Sequence, residues 1–315
     1  MNRLLLASVI ALIPSSVFAQ TPGTAVVVPI LATPKGHEVG VGLGGYDYVE
    51  PGDLRISIHG AKFAAEYTGT FSLNQRQHWF ARATARTAMG RTTYDGWCAP
   101  WLIVPESASP NGYALDLGDF SPCSEGGGKD WYLEGRALVG KDFVGQRWAW
   151  SPESGLGVRH LSNGFAGLAG FRTEKYLYLP VGLTVRTAIS SRSVLSFNLE
   201  YDRLLRGWQT TRNSLLGSGD VPATSTAPAF TLDGFDDISF DQHGGSALRA
   251  SAKYQVNKNW SVEPYYVRWN VDDSAVNLGS ITYTVNGITA TEQLGFLEPV
   301  NFTNEFGVKF GFRFF

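Results

Sequence analysis

The sequence is poor in cysteine, in net charge and in long apolar segments. Two cysteines among 315 residues cannot complete a structural zinc site, and a formal net charge of −2 is too small to indicate a nucleic acid as partner. The mean hydropathy is −0.08 and no second long apolar run follows the one at the N-terminus, which excludes transmembrane helices. Alternating strands are not excluded, because their apolar and polar residues average out on any hydropathy scale.

The chain is instead rich in glycine and aromatic residues. It contains 36 glycines, and 13% of its residues are aromatic, which favours a single large β domain. We find no glycine-rich phosphate loop and no cluster of His and Cys with metal-ligand spacing in the sequence. We therefore predict neither a cofactor nor a metal.

The first 19 residues have the three parts of a secretory signal peptide. Arg3 supplies the positive charge, Leu4 to Ile13 form the apolar core, and Val17-Phe18-Ala19 is a cleavage site. We expect residues 1–19 to be removed from the mature chain. Loss of Arg3 changes its formal net charge to only −3, from 25 basic and 28 acidic residues.

The last fifteen residues alternate between an apolar and a polar face. One parity holds Phe302, Asn304, Phe306, Val308, Phe310, Phe312 and Phe314. The other parity holds Thr303, Glu305, Gly307, Lys309, Gly311 and Arg313. Such alternation is typical of a β-strand with one apolar face, and aromatic residues opposite charged ones suit a lipid-facing wall around a polar interior.

This stretch resembles the closing strand of bacterial outer-membrane β-barrels, which typically end in phenylalanine. Phe314 shares the parity of the other aromatics, and we interpret Phe315 as one residue of overhang. The resemblance implies a protein of the bacterial outer membrane, surrounded by its lipids, whose terminal strand is recognised by the barrel assembly machinery. We interpret the proline-rich, poorly patterned residues 20–36 as a periplasmic lead-in and residues 37–315 as the barrel domain.

Alternating segments follow one another along the rest of the chain. Short turns are predicted near residues 75, 145, 191 and 258, and most other connections are longer loops. We predict an all-β fold, a closed antiparallel transmembrane barrel of about ten strands with short periplasmic turns and long outer loops. Twelve strands are the alternative, because Asn286-Gly287 is a hairpin signal, which we place in an outer loop. Pro180 and Pro264 lie inside predicted strands and lack a ladder donor, so we expect bulges there.

Charged residues on the inward parities are predicted to fill the lumen. They are Arg82, Arg86, Glu134, Arg136, Glu200, Asp202, Arg249 and Lys253. A small barrel fills its interior with side chains, and aqueous channels arise at about 16 strands. We therefore expect ion pairs in the lumen and no general porin. A narrow solute path is the alternative.

Two further predictions concern the ends of the barrel. Scattered aromatics are interpreted as girdles at the membrane surfaces, among them Trp148, Trp150, Tyr176, Tyr178, Trp208, Trp260, Tyr265, Tyr266 and Trp269. Cys98 and Cys123 fall in one predicted outer loop, at about 95–129. Because two cysteines of an exported chain usually pair, we predict a disulfide between them.

One short motif has the residue types of a catalytic site. Arg159-His160-Leu161-Ser162-Asn163-Gly164 resembles the His-x-Ser-Asn signature of two outer-membrane lipid hydrolases, the lipid A deacylase and phospholipase A. The resemblance implies that His160 deprotonates Ser162 and that Glu174, twelve residues after Ser162, orients the imidazole. Glu174 has the inward parity of its neighbouring tyrosines, and a polar outer rim is the alternative interpretation of the motif.

A second motif, Asp241-Gln242-His243, resembles the Asp-x-His pair of the ten-stranded omptin proteases. Those proteases also need a close pair of aspartates from another loop, where this chain has the separated Asp95, Asp116 and Asp119.

We therefore predict a non-enzymatic outer-membrane protein with a structural, surface-interaction or narrow-channel role. The alternative is a lipid acyl-ester hydrolase that uses His160, Ser162 and Glu174.

Overall fold

The computed structural model describes residues 29–164, 171–216, 218–225 and 227–314. The predicted signal peptide at 1–19, the first part of the lead-in and Phe315 lie outside these ranges. Among the described residues, no helix is both long enough and apolar enough to cross a membrane.

Ten long strands form the wall of a closed antiparallel barrel. They are β1 (Gly36–Glu50), β2 (Ile56–Asn74), β3 (Trp79–Cys98), β4 (Ser121–Lys141), β5 (Trp148–Gly164), β6 (Phe171–Ala188), β7 (Val194–Thr211), β8 (Gly245–Gln255), β9 (Trp260–Val271) and β10 (Asn301–Phe314). Each strand pairs with the next, and β10 closes the ring on β1 through pairs such as Val39 with Phe312. Closure removes the free edges of an open sheet. The predicted fold class is confirmed, with ten strands in the wall rather than twelve.

The connections differ in length at the two ends of the barrel. Those at one end, which we call the turn end, span residues 75–78, 142–147, 189–193 and 256–259. Those at the other end, the loop end, include the longer segments 99–120, 212–244 and 272–300 as well as the short segment 51–55. This asymmetry was expected from the sequence.

The remaining elements are short and are not among the ten strands of the wall. At the loop end they are the strands Trp101–Pro105, Tyr113–Leu117, Gly219–Val221, Phe230–Phe235, Ile238–Gln242, Asn277–Val285 and Ile288–Phe296, and the 3-10 helix Asn213–Leu216. At the turn end they are the 3-10 helix Pro29–Leu31 before β1 and the short strand Phe143–Val144 beside β5. Asn286-Gly287 joins two of the loop-end strands into a hairpin, as predicted.

Successive side chains of the wall alternate between the lumen and the outside. In β10, Phe306 and Phe310 are 57% and 55% exposed, whereas Glu305 is 3% exposed. This alternation follows directly from the pleat of a β-strand. We call the outward apolar residues the apolar belt; examples are Val41, Leu43, Phe63, Met89, Trp131, Leu133, Leu156, Val158, Val181, Leu199, Leu248, Phe306 and Phe310.

Pro180 and Pro264, two of the prolines in the wall strands, do not mark bulges, so that prediction is wrong. β5 and β6 keep one register across Pro180, since Ser154 pairs with Val181 and Gly157 with Tyr178. The ladder of β8 and β9 likewise keeps its register past Pro264. A proline removes only its own N–H, and the pairs on either side hold the register.

A disulfide joins β3 and β4 beyond the apolar belt. Cys98 pairs in register with Ser121 and Gly96 with Cys123, so the two cysteines are diagonal neighbours with Cα atoms 5.8 Å apart. Much of the loop predicted at 95–129 is therefore strand, and the connection itself shrinks to 99–120. The predicted disulfide is confirmed.

We expect the disulfide to restrain this connection measurably. In the chain-entropy model, closing a loop of this size is worth roughly 3 to 4 kcal/mol. The double variant Cys98→Ser/Cys123→Ser should therefore be cut faster by protease within 99–120, with no change at the turn 256–259, as followed by mass spectrometry. Labelling of two free thiols in the unreduced, denatured wild type would contradict the pairing.

Candidate functional site

Ionised side chains fill the middle of the lumen in pairs that join distant strands. Arg249 of β8 contacts Glu134 of β4, and its Nε lies 2.6 Å from Asp202 Oδ2 of β7. Arg136 of β4 contacts Glu200 of β7. All five side chains are 17% exposed or less. Because an unpaired charge is very unfavourable in such surroundings, each needs its partner.

A second set of pairs joins β2, β3, β9 and β10. Arg86 Nη2 is 2.5 Å from Glu305 Oε1. Lys309 Nζ lies 2.6 Å from Glu66 Oε1 and 3.0 Å from Glu263 Oε2. These contacts connect the first strands of the chain to the last ones through the interior, in addition to the backbone ladder.

The eight charged side chains predicted to face the lumen all form salt bridges there. In addition to the pairs above, Arg82 lies 2.9 Å from Glu153, and Lys253 contacts Glu38. The prediction that ion pairs pack the lumen is confirmed. Opposite charges alternate within the packing, so the lumen offers no surface of a single sign.

Aromatic residues occupy the lumen nearer the loop end. Tyr176, Tyr178 and Trp269 are 6%, 0% and 2% exposed and pack in one cluster, and the hydroxyl of Tyr265 lies 3.2 Å from Glu305. The interpretation of these four residues as girdle is wrong, because their parity is inward and the three tyrosine hydroxyls hydrogen-bond to lumen carboxylates. The other five aromatics are exposed on the outside, namely Trp148, Trp150, Trp208, Trp260 and Tyr266.

The last residues of the lead-in close the lumen at the turn end. Leu31 is fully buried, and the backbone N–H and hydroxyl of Thr33 donate to Asp142 at 2.8 and 2.5 Å. Ser151 donates to the same carboxylate at 2.6 Å. Burial alone would raise the pKa of Asp142, but these hydrogen bonds hold it below its ordinary value. Between this plug and the ion pairs lies a cavity of about 200 Å³.

Side chains from distant parts of the sequence meet at the loop end. Arg172 Nη1 lies 2.8 Å from Glu50 and 3.6 Å from Glu298, and the Tyr48 hydroxyl donates at 2.8 and 3.1 Å to the same two carboxylates. Burial raises the pKa of Glu298 to about 7, with Arg172 opposing the shift and Glu50 adding to it. Sequence reasoning missed this set, because Tyr48 and Glu298 are 250 positions apart and no local pattern joins them.

The structure does not bring together the three residues of the hydrolase motif. His160 and Ser162 face outward on β5, where they pair in register with Lys175 and Thr173 of β6. Glu174 is 5% exposed, lies opposite Leu161 on the lumen side and accepts a hydrogen bond from Tyr176 at 2.5 Å. The wall thus separates the carboxylate from the imidazole, whose ring packs 5.3 Å from that of Trp131.

The residues of the second motif also lie apart. Asp241 is exposed on the strand Ile238–Gln242, which pairs with the end of β7, and it accepts a hydrogen bond from Arg206 at 3.3 Å. Asp95 belongs to β3 and lies 3.5 Å from His59. Asp116 bonds to the backbone N–H of Leu117 within its own hairpin. No aspartate pair facing Asp241 is formed by these residues.

These observations define a class of protein: a closed ten-stranded β-barrel with an apolar outer wall and a lumen sealed by ion pairs. No family model matches the sequence, and no curated protein matches it.

Several solved structures of outer-membrane β-barrels resemble the fold. The outer membrane protease OmpT from Escherichia coli is 10% identical over 90% of this chain and 98% of that chain, with a TM-score of 0.49. An outer membrane channel from Pseudomonas putida F1 is 8% identical over 94% and 100%, with a TM-score of 0.37. The translocator domain of the autotransporter NalP from Neisseria meningitidis is 10% identical over 91% and 92%, with a TM-score of 0.35. At such values we transfer neither activity nor substrate from these proteins.

We expect Ser162→Ala to leave fatty-acid release from mixed outer-membrane lipids unchanged at background. Glu174 lies on the other side of the wall, so it does not orient the His160 imidazole as a triad requires. Ser154→Ala, which alters another outward serine of β5, is the matched control. Release that disappears in Ser162→Ala but persists in Ser154→Ala would establish the hydrolase instead.

We expect no large, stable conductance in planar bilayers, because the ion pairs and the aromatic cluster fill the lumen. A variant lacking residues 20–35 removes the plug but keeps these layers, and it should also stay closed. Large steps in both proteins would contradict the packing of the lumen. Large steps in the variant alone would show that the plug, rather than the ion pairs, closes the barrel.

Proposed function

We propose that this protein is a non-enzymatic protein of the bacterial outer membrane that acts through its surface. Its apolar belt faces the lipid, its turn end faces the periplasm, and its loop end faces the outside of the cell. The proposal includes export by residues 1–19 and recognition of β10 by the barrel assembly machinery.

The apolar belt supports the membrane setting. Leu43, Phe63, Phe306 and Phe310 are each at least 54% exposed, and neighbouring strands carry similar side chains at the same level. A water-soluble monomer rarely exposes a continuous apolar surface of this extent. A closed barrel with apolar residues outside and charges inside is the β structure that satisfies its backbone within lipid.

The single observation that carries a surface role is that the long loops fold together. The hairpin of Trp101–Pro105 and Tyr113–Leu117 packs on the sheet formed by Gly219–Val221, Phe230–Phe235, Asn277–Val285 and Ile288–Phe296. Their shared core includes Ile103, Leu115, Phe230, Ile281, Tyr283, Val285 and Ala290. We call this unit the loop domain. Its own hydrophobic core keeps a defined surface above the membrane.

Specific hydrogen bonds fix the parts of the loop domain to one another. The Leu115 N–H donates to Glu292 at 3.0 Å, and the Tyr283 hydroxyl donates to the Tyr113 carbonyl at 2.7 Å. The opposite face of its sheet carries cross-strand threonine pairs, with Thr282 and Thr291 hydroxyls 3.0 Å apart. An ordered face of this kind suits contact with a partner outside the cell. A narrow channel is less well supported, because salt-bridged side chains and the plug fill the path.

Two epitope insertions test both the membrane setting and the orientation. One follows Gly287 at the tip of the loop domain, and its matched control follows Lys258 in a turn at the other end. The protein should fractionate with the outer membrane, and an impermeant antibody should bind the first epitope on intact cells but the second only after permeabilisation. Recovery in the soluble fraction would overturn the membrane setting, and the reverse accessibility would overturn the orientation.

A further inference from the structure

Five basic side chains face outward in an arc near the loop end of the barrel. They are Arg91 of β3, Lys129 of β4, Lys175 of β6, Arg206 of β7 and Arg212 just after β7, and all are exposed. We call this set the cationic arc. Acidic residues lie beside its β7 end, where Asp241 forms a salt bridge with Arg206 and Asp237 accepts hydrogen bonds from Ser214, two residues after Arg212.

The arc lies at the edge of the apolar belt. Met89 and Trp131 are 55% and 40% exposed, and each stands two residues deeper than Arg91 or Lys129 on the same face. Lys175 pairs in register with His160 on one side and with Trp208 on the other. The charges therefore follow the line where the belt ends, which is where lipid headgroups meet an embedded barrel.

A β-bulge turns part of β7 toward this surface. The register shifts between Leu204, which is buried in the lumen, and Arg206, with Leu205 as the extra residue. If the alternation from Leu204 continued without a bulge, Arg206 and Trp208 would have the inward parity. Bulges commonly re-aim side chains in this way. The outcome is that the Arg206 guanidinium stands 4.9 Å from the Trp208 ring on the outside.

Like charges also stand next to one another within the arc. Arg91 and Lys129 are directly opposite across β3 and β4, an arrangement that is destabilising when no anion lies between them. This juxtaposition is unfavourable for stability alone and favourable for binding a multiply charged anion.

Arg203 extends the same pattern one step into the belt. It faces outward on β7 and pairs in register with Leu179, an exposed residue of the belt. An arginine at such a depth extends its long side chain toward the headgroup level. Its guanidinium therefore reaches toward the same line as the arc.

We propose that the cationic arc binds the phosphate groups of anionic lipids in the outer leaflet, with their acyl chains lying on the apolar belt below. Arginine forks match phosphate oxygens in paired hydrogen bonds, and Trp131 and Trp208 sit at the height where aromatic rings prefer the interface. An acidic protein partner fits less well, because the arc is continuous with the lipid-facing surface. The inference rests on the proposed membrane setting.

The test uses purified protein in uncharged maltoside detergent, titrated with diphosphorylated lipid A and followed by native mass spectrometry. The variant Arg91→Gln/Lys129→Gln/Lys175→Gln is compared with Arg147→Gln/Arg192→Gln/Lys258→Gln, which removes three exposed charges at the turn end. Each arc charge is worth about fivefold in affinity, so we expect the arc variant to bind at least tenfold more weakly and the control to bind as wild type.

Three results would overturn the inference: equal affinity of the two variants, equal binding of dephosphorylated lipid, or displacement of the lipid by an equal concentration of inorganic phosphate. The last would indicate a small-anion site instead. Folding of each variant is checked by heat-dependent gel mobility, and the single change Lys175→Gln replaces the triple change if that fails. Because the protein is purified, the result does not depend on where the chain resides in the cell, which the epitope insertions decide separately.

Discussion

The constraint on which the rest of the structure depends is that every charge placed inside the barrel needs a partner there. Arg86 of β3 reaches Glu305 of β10, and Arg249 of β8 reaches Glu134 of β4. Removing one member of a buried pair typically costs about 3–5 kcal/mol, because the other charge is left uncompensated. The pairs therefore link distant strands of the wall across the lumen, in addition to the backbone ladder around its circumference.

A lumen packed in this way leaves little free surface inside the wall. The interior has no surface of one charge, its turn end is plugged by Leu31 and Thr33, and its loop end is tied to the loop domain through Glu298. Among the described residues, the larger free surfaces are those of the loop domain and of the apolar outer wall with its cationic arc. The carboxylate in the hydrolase motif has been drawn into the interior, where it bonds to a tyrosine.

Parity explains both the successes and the failures of sequence reasoning about this fold. Period-two alternation placed Phe306 outside and Glu305 inside, and it already assigned Glu174 to the lumen side. The prediction for Tyr176 and Trp269 was wrong because it followed residue type rather than parity. A tyrosine or tryptophan can fill a lumen as well as a girdle. Parity also could not locate the bulge after Leu204, because one extra residue in a strand leaves no local signature.

The sequence by itself determined the alternation of most wall side chains between the lumen and the outside, where the short turns fall, and that Cys98 and Cys123 would pair. These are consequences of spacings of a few residues, set by the pleat and by turn chemistry. Only the tertiary structure decided which charge meets which across the lumen, that the lead-in enters the barrel, and that three loops share one core. Those contacts join residues far apart in the chain, and their energies depend on burial, which exists only after the barrel has closed.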